Sequence, residues 1–376
     1  MTKKLVICIS LIAIFLSGCS FSEPSTSKSN ITEKTLNGAS FTFFDVGQGD
    51  STLIQAEDGT TILIDTGRQD DDRILTYLKE ANIKKIDLLL LTHPHADHIG
   101  NADKVIATYK PKEIWMDGLT FSSSIYEKVI DAALASDAKY KEPRRGEKAT
   151  FGPFNLAVLS PDKLENDANN DSIAVKITYK DISAIFTGDA EKSREREMVD
   201  SGADLEADIL DLGHHGSSTS NQPFFLDKVK PQVAVYSAEM ANSYGHPHVE
   251  VLEWLKERDI KTYGTDVNGT VIIETDGEKI HVQTEKSGTP KPGSSYNKEN
   301  STQKTEDATS EELPASINLN TASSEDLQLL PLIGPALAEK IIAERPYQSI
   351  DDLKKINGIG DGIVRQIKEQ GIAVTK

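Results

Sequence analysis

In LLLLTHPHADHIG (residues 88–100), three histidines and an aspartate fall within six positions: His93, His95, Asp97 and His98. Imidazole nitrogens and a carboxylate at this spacing suit Zn²⁺ or a related transition metal. They follow directly on the apolar run Ile86 to Leu91, which reads as a strand covered on both faces. A strand end is a rigid platform, and the loop beyond it is where α/β proteins place chemistry. The other histidines reinforce the pattern. His214-His215 and His246/His248 form two more clusters, and of the eight in the chain only His281 stands alone, as a surface strand residue.

The elements that must position these residues are legible in outline. Phe41 to Val46, Ser51 to Gln55 and Thr61 to Ile64 read as strands, with a turn at Glu57-Asp58-Gly59. Ile173 to Tyr179, Ser183 to Phe186, Ile209 to Leu212, Val233 to Tyr236 and Val271 to Glu274 add more. Helical spacing runs through Asp71–Ala81, Ser193–Ser201, Asn221–Val229 and Pro247–Arg258. Strands interleaved with helices predict an α/β or α+β sandwich.

The chain has 376 residues, a net charge of −18 and 38% hydrophobic residues. At roughly 100–200 residues per domain, that allows two or three domains with proper cores. The acidity excludes a protein that grips nucleic acid by a broad basic face. Lys3 and Lys4, an apolar Leu5 to Leu16 and then Leu16-Ser17-Gly18-Cys19 form a signal peptide ending in a lipobox, too short for a comfortable membrane span. This predicts a lipoprotein signal over 1–18, lipid on Cys19 and a Ser/Thr/Lys-rich tether over 19–38, with the protein on the extracellular face of the cell membrane. No segment outside the signal is apolar for 18 residues. Cys8 lies in the removed segment, so the mature chain has no thiol to spare and any metal site uses histidine and carboxylate. A folded domain is expected over 39–284 and a disordered linker over 285–314, where apolar residues nearly vanish. A compact helical unit follows over 315–376.

His93-x-His95-x-Asp97-His98-x-Gly100 resembles the signature of the metallo-β-lactamase family, over about residues 40–284. Asp65 in ILIDTG, Asp189 in FTGDAE and His214-His215-Gly216-Ser217 follow in the family's order. FDVGQGDSTLI, HHGSSTS and YGHPHVEVLEWL narrow the likeness to the extracellular domain of the competence-protein family ComEC. The resemblance implies an αββα sandwich with two divalent ions, Zn²⁺ or Mn²⁺. One ion would be held by His93 and His95. The other would be held by Asp97, His98 and a late histidine, His215 in preference to His214. Asp189 would bridge them, and Asp65 would support the site. The chain departs from the family in the stretch LSPDKLENDANNDSIAV, where Ser160 stands near the place of a further ligand histidine. The first metal is therefore one ligand short, and either binds weakly, uses a carbonyl or water, or is Mn²⁺. Asp162, Asn169, Asn170 and Asp171 lie in that stretch, and Asn170-Asp171-Ser172 reads as the turn into the next strand.

Two cations close together lower the pKa of a water and clamp both oxygens of an in-line displacement at phosphorus. Asp97 is placed to orient the attacking group. His246 either donates a hydrogen bond to a phosphate or leaving oxygen, or is a structural residue at a helix N-terminus before Pro247. Ser217, Ser220 and Tyr244 are candidate phosphate contacts.

The tail, SINLNTASSEDLQLLPLIGPALAEKIIAERPYQSIDDLKKINGIGDGIVRQIKEQG, carries two turns, Ile333-Gly334-Pro335 and Gly358-Ile359-Gly360, each opening a helix. Such a turn presents backbone N–H groups and the positive end of the helix dipole to a phosphate. Asn320 or Thr321 can cap the first helix. The tail resembles the helix-hairpin-helix DNA-binding domains of the ComEA family, with Leu332 where glycine is usual. Its seven Lys/Arg against eight Asp/Glu leave −1, so the rest of the chain carries −17. Backbone-led contact with DNA, without sequence specificity, suits that balance. The other use of such hairpins is tight helix connection.

Three functions fit these features. The first is an extracellular, lipid-anchored nuclease or phosphodiesterase acting on DNA and related to DNA uptake. The second is a hydrolase of a small ester, lactone or phosphodiester tethered to DNA. The third is a DNA receptor whose metal site has degenerated.

Overall fold

The computed structural model describes residues 37–293 and 316–375, apart from 328, 329, 331, 332, 334, 357 and 358. The expected signal, Cys19, the tether up to residue 36, residues 294–314, Gly334 and Gly358 lie outside the described residues.

Two sheets make up the first domain. One holds β1 (Ala39–Phe43), β2 (Thr52–Ala56), β3 (Thr61–Ile64), β4 (Leu88–Leu90), β5 (Glu113–Trp115) and β6 (Lys139–Lys141), joined late by β14 (Val271–Thr275) and β15 (Ile280–Thr284). Its order is β15-β14-β1-β2-β3-β4-β5-β6. The other runs from β13 (Lys261–Gly264) through β12 (Val233–Tyr236), β11 (Ile209–Asp211), β10 (Ile182–Phe186), β9 (Ala174–Tyr179) and β8 (Phe154–Ser160) to β7 (Lys148–Phe151). Each sheet has a parallel half, β3 to β6 in one and β10 to β13 in the other.

Alternation places one apolar set from each sheet face to face. Phe41, Phe43, Ile54, Trp115, Val175, Ile177, Phe186 and Val235 meet in that central layer, all at most 1% exposed. Phe43 and Phe186 stack across it with centroids 6.1 Å apart. The outer faces are covered by helices. Ile74, Leu78, Val105 and Val129 pack on the first sheet, and Met198, Leu226, Val251 and Leu255 on the second. The result is the four-layer αββα sandwich expected.

The folded chain runs past the boundary expected at 284. Glu285 and Lys286 donate their N–H groups to the Thr270 and Asn268 carbonyls, and Gly293 donates to the Pro247 carbonyl. A polar composition concealed this, because the segment is held by backbone hydrogen bonds rather than by apolar burial. Among the described residues, no helix is long and apolar enough to cross a membrane.

The tail forms its own core around Leu319, Leu327, Ile341, Leu353, Val364 and Ile367. Its ends meet in a short parallel pair, Ile317–Asn318 beside Ala373–Val374. Asn320 does not cap a helix. Its side-chain nitrogen donates to the Tyr347 and Thr375 carbonyls, both at 2.9 Å, locking the closure. Ser323 caps the helix Ser324–Leu327 instead, with its Oγ accepting from the Asp326 N–H while the Asp326 carboxylate accepts from the Ser323 N–H.

Phe43 tests whether the inter-sheet layer carries the first domain. Phe43→Ala should lower stability by about 3–5 kcal/mol in urea unfolding, the cost of a cavity that two sheets cannot collapse to fill. A loss below about 1 kcal/mol would show that the layer tolerates a void there.

Candidate metal centre

The carboxyl ends of the parallel strands of both sheets meet along one edge, and the reactive side chains are collected there. β4 delivers Thr92 and His93, β10 leads to Asp189, β11 to His214 and His215, and β3 ends at Asp65. The sheets are tied at this edge by the Ile173 N–H, which donates to the Thr92 carbonyl at 2.9 Å.

Asp65 organises the first loop. It is 1% exposed and sits at a left-handed φ of 54°. Its carboxylate accepts from the Thr92 N–H at 2.8 Å and from Thr92 Oγ1 at 2.6 Å, and it faces His98 Nδ1 at 2.8 Å. The His98 carbonyl accepts in turn from the Thr66 N–H at 2.6 Å. Close approach of backbone to backbone explains two glycines. A Cβ on Gly49 would lie 2.5 Å from the Asp97 carbonyl oxygen, and one on Gly100 would lie 2.3 Å from the Gln69 nitrogen.

Two donor groups result, and Asp189 belongs to both. In the first, His93 Nε2 lies 3.0 Å from His95 Nδ1 and 3.5 Å from Asp189 Oδ2. In the second, His98 Nε2 lies 3.3 Å from Asp189 Oδ1, and His215 Nε2 lies 3.2 Å from Asp97 Oδ2. Among the described residues, the sets whose donor atoms all lie within 4.8 Å of one another are His93, His95 and Asp189, and Asp50, His98, Asp189 and His215.

The residues fit cations well. Among the described residues, His98 Nε2 and Asp189 Oδ1 are buried with no hydrogen-bond partner, 3.3 Å apart. Orphaned buried donors and acceptors are rare, and a cation between the two would satisfy both. The remote ring nitrogens are engaged: His93 Nδ1 with Thr92 Oγ1 at 3.1 Å, His98 Nδ1 with Asp65, and His215 Nδ1 with the Ser237 carbonyl at 3.0 Å. That leaves each Nε2 lone pair facing inward, the usual arrangement behind metal-ligating histidines.

Electrostatics point the same way. Burial opposes charge on His98, but the Asp189 and Asp65 carboxylates outweigh it and raise its pKa. His215 is raised against burial by Asp50 and Asp97. Burial would raise Asp97 and Asp189; hydrogen bonding from His215 and charge on His98 lower the first, and charge on His98 and His93 lowers the second. Burial and the neighbouring His93 bring His95 down to about 4. Such a concentration of carboxylates around imidazoles needs positive charge, from protons or from cations.

Asp50 is a site residue that the sequence reading missed. Its Oδ2 lies 3.6 Å from His215 Nδ1 and 3.8 Å from His98 Nδ1, behind both rings. Asp211 was missed as well. Burial, then Asp50 and Asp65, raises its carboxyl well above the usual range. Asp50 sits in the motif FDVGQGDSTLI and Asp211 in the strand Ile209 to Leu212, but a single acid in a turn or at a strand end gives no sign of what it will face.

The other residues singled out in the sequence have the following partners. The Ser217 and Ser220 hydroxyls are used inside their loop. Ser217 Oγ pairs with Thr219 Oγ1 at 3.1 Å, and Ser220 Oγ donates to the Ala190 carbonyl at 2.8 Å. Asn170 Oδ1 accepts from the Glu191 N–H and from Ser193 Oγ, and Asp171 pairs with the buried Arg194. Both shape the turn as expected, and Asp162 pairs with Arg145. Ser160 is 1% exposed, and its Oγ has no partner. His246 is not the helix-starting residue, because that helix begins at Val249 with His248 at its N-cap. Its ring lies with the site, 5.7 Å from His214 and 6.0 Å from His215, under the half-exposed Tyr244. Burial and the nearby His215 take His246 down to about 3, so the ring is neutral.

In the tail, Ile333 and Ile359 are each 3% exposed, so their side chains anchor the turns to the core. Gly360 is exposed at the N-cap of the helix Asp361–Gln370, and no atom of the described residues lies within 4 Å of where its Cβ would stand.

Residues 44–239 match the Metallo-beta-lactamase superfamily, and residues 315–370 match the Helix-hairpin-helix motif. The chain is 32% identical to ComE operon protein 3 of Bacillus subtilis over 246 residues, covering 60% of this chain and 32% of that protein. It is 29% identical to Competence protein ComA of Neisseria gonorrhoeae over 242 residues, 62% of this chain and 32% of that one. A Deoxyribonuclease of Thioalkalivibrio is 49% identical over 57 residues, 15% of this chain and 16% of its own. The chain thus spans about a third of the length of the competence proteins it matches.

The loop after β5 offers a test of the electrostatics beside the site. It carries Phe121, whose ring meets that of His95 at 5.6 Å, and Asp117, 1% exposed with Oδ2 unpartnered. Burial pushes the Asp117 carboxyl up to about 7. The native state therefore keeps a proton that the unfolded chain releases near pH 4, and stability falls as pH rises between those values. Asp117→Asn removes that slope. In urea unfolding with EDTA present, the variant should match the parent near pH 4.5 and exceed it by about 2 kcal/mol at pH 7.5. Parallel pH profiles would refute this account of Asp117.

Proposed function

The chain belongs to the metallo-β-lactamase superfamily, and from that premise we propose that it is a metal-dependent phosphodiesterase that cleaves DNA at the outer face of the cell membrane. The observation that carries this reading is Asp189, which offers one oxygen to each of two histidine groups. Paired cations, when bound, supply an acidified water and positive charge for the oxygens of a phosphodiester. His93, His95 and Asp189 would hold one, and His98, His215 and Asp189 the other, with Asp50 in the same close set and Asp97 approaching it from His215. Asp65 fixes His98 and the whole loop through Thr92. Asp97, the most solvent-accessible carboxylate of the group at 29%, orients the attacking group. Neutral His246 keeps one ring N–H with which it donates a hydrogen bond to a phosphate or leaving oxygen.

DNA is favoured as substrate by the helix-hairpin-helix motif and by the competence proteins to which the chain is similar. The open turn at Gly360 presents backbone to a phosphate without reading sequence. A tail that holds DNA raises its concentration near the site through the linker. A lipid on Cys19 would keep the protein at the membrane.

The full chain should degrade labelled DNA with Mn²⁺ or Zn²⁺ and stop with EDTA. Asp97→Ala and His98→Ala should each lower the rate at least about 10–100-fold. Removing 315–376 should raise the DNA concentration needed for half-maximal rate while leaving the limiting rate nearly unchanged. Hydrolysis of a lactone or β-lactam with no DNA cleavage would overturn the assignment, as would full activity in the two variants.

For the anchor, Cys19→Ser should abolish incorporation of labelled fatty acid and move the protein out of the membrane fraction. Label still incorporated by the Cys19→Ser protein, or none on the parent, would refute lipidation at this cysteine.

A further inference from the structure

We propose that His214 is not a substitute for His215 but the missing ligand of the first metal, taking the place of the histidine absent near Ser160. This rests on the metal-dependent reading above.

His214 Nε2 lies 3.7 Å from Asp189 Oδ2, the same oxygen that His93 Nε2 faces at 3.5 Å. Donors about 2.1 Å from a tetrahedral ion stand roughly 3.4 Å apart. The 3.0 and 3.5 Å separations of His95–His93 and His93–Asp189 and the 3.7 Å from Asp189 to His214 fall around that value, while His214 stands outside the 4.8 Å that encloses the other three, so its ring must swing inward to complete the set. His214 thus approaches the first group from the Asp189 side. His215 turns away from it, with Nε2 toward Asp97 in the second.

The backbone achieves this division. His214 and His215 both adopt left-handed conformations, with φ of 53° and 57°. Residues other than glycine seldom do so, and two in succession mark a functional constraint. The rings end 6.2 Å apart at 63°, one at each group. Flanking glycines permit the turn: a Cβ on Gly213 would lie 2.6 Å from Thr187 Oγ1, and one on Gly216 would lie 2.8 Å from Pro247.

The far side of the His214 ring is held as a ligand's would be. Nδ1 meets Thr219 Oγ1 at 3.1 Å and faces Glu191 Oε1 at 3.7 Å. That same Glu191 oxygen accepts from Asn169 Nδ2 at 3.4 Å. With the Nδ1 proton directed at these oxygens, Nε2 presents its lone pair. Asn169 belongs to the very stretch that lacks the histidine. The stretch acts on the ion indirectly, by holding the residue that holds His214.

The test uses metal content rather than cleavage. His214→Asn is the variant of choice, because asparagine tolerates the left-handed conformation; coincident thermal melts of the metal-free proteins would establish that the fold is kept. The full chain is stripped with EDTA, titrated with Zn²⁺ and Co²⁺, and read by elemental analysis and by Co²⁺ absorption. The parent should hold two ions. The variant should hold one tightly and the other at least about 10-fold more weakly. Adding His93→Ala to His214→Asn should cost no further ion, whereas adding His215→Ala should cost the second. Two ions at unchanged affinity in the variant would overturn the proposal. So would a loss that His215→Ala does not extend, or one that only Asn169→Ala produces. A chain that binds two ions through His214 yet cleaves no DNA would refute the function proposed above and leave this assignment standing.

Discussion

The structure turns on a single buried carboxylate. Asp189 comes from the second sheet, while the histidines that flank it, His93 and His98, come from the first. Their meeting requires the two sheets to be offset by a fixed amount. Close-packed layers supply that, because an interior at near-crystalline density has few alternative registers. The Phe43–Phe186 stack and the Ile173–Thr92 hydrogen bond set the offset at the core and at the edge. The polar centre would otherwise be costly. Unpaired charge is expensive to bury, and here five carboxylates crowd around imidazoles in a dry edge. The apolar layers pin a charged cluster that would not assemble by itself.

That dependence explains which parts were readable in the sequence. His93, His95 and His98 announce themselves, since three imidazoles in six residues have no packing purpose. Asp65 and Asp189 were legible only through the family resemblance. Alone, each is one acid in a strand-end turn. Asp50 and Asp117 were not legible at all, because what matters about them is what the other strands bring near. The same contrast holds for the elements. Apolar runs such as Thr61–Ile64 and Val233–Tyr236 were found with their observed limits. The three-residue edge strand Lys139–Lys141 has exposed or half-exposed side chains and no apolar signal, so only its pairing with β5 reveals it. Residues 285–293 read as linker because hydrogen bonds to Asn268, Thr270 and Pro247 leave no compositional trace.

The tail divides its labour differently from the reading of its turns. Ile333 and Ile359 lie in turns that resemble phosphate-binding motifs, yet their side chains are interior. Ile333 and Ile359 are anchored in the helical core, and directly after the second the exposed Gly360 opens its helix. The same segment is therefore both a helix connection and a candidate phosphate contact, and the two uses named from sequence are not alternatives. A net charge of −1 over 315–376 is compatible with this. Contact through peptide N–H groups and a helix dipole needs little basic side-chain charge, though it remains sensitive to salt.

The adjacent histidines show how a local backbone choice can compensate for a lost ligand. The family resemblance implies a ligand histidine in the 159–175 stretch. This chain has Ser160 there, with an unpartnered hydroxyl. The turn between β11 and the Ser217 loop instead carries two imidazoles in successive left-handed residues, directed at different groups. Left-handed backbone at two non-glycine positions costs free energy on the order of 1–3 kcal/mol each. The surrounding structure must hold it. Glu195 does so from below, accepting from the Asn221 and Gln222 N–H groups, while Asn221 Nδ2 donates to the Gly213 and Ser217 carbonyls on either side of the histidines. A buried acid outside both donor groups thus fixes the loop that sets where both late imidazoles point.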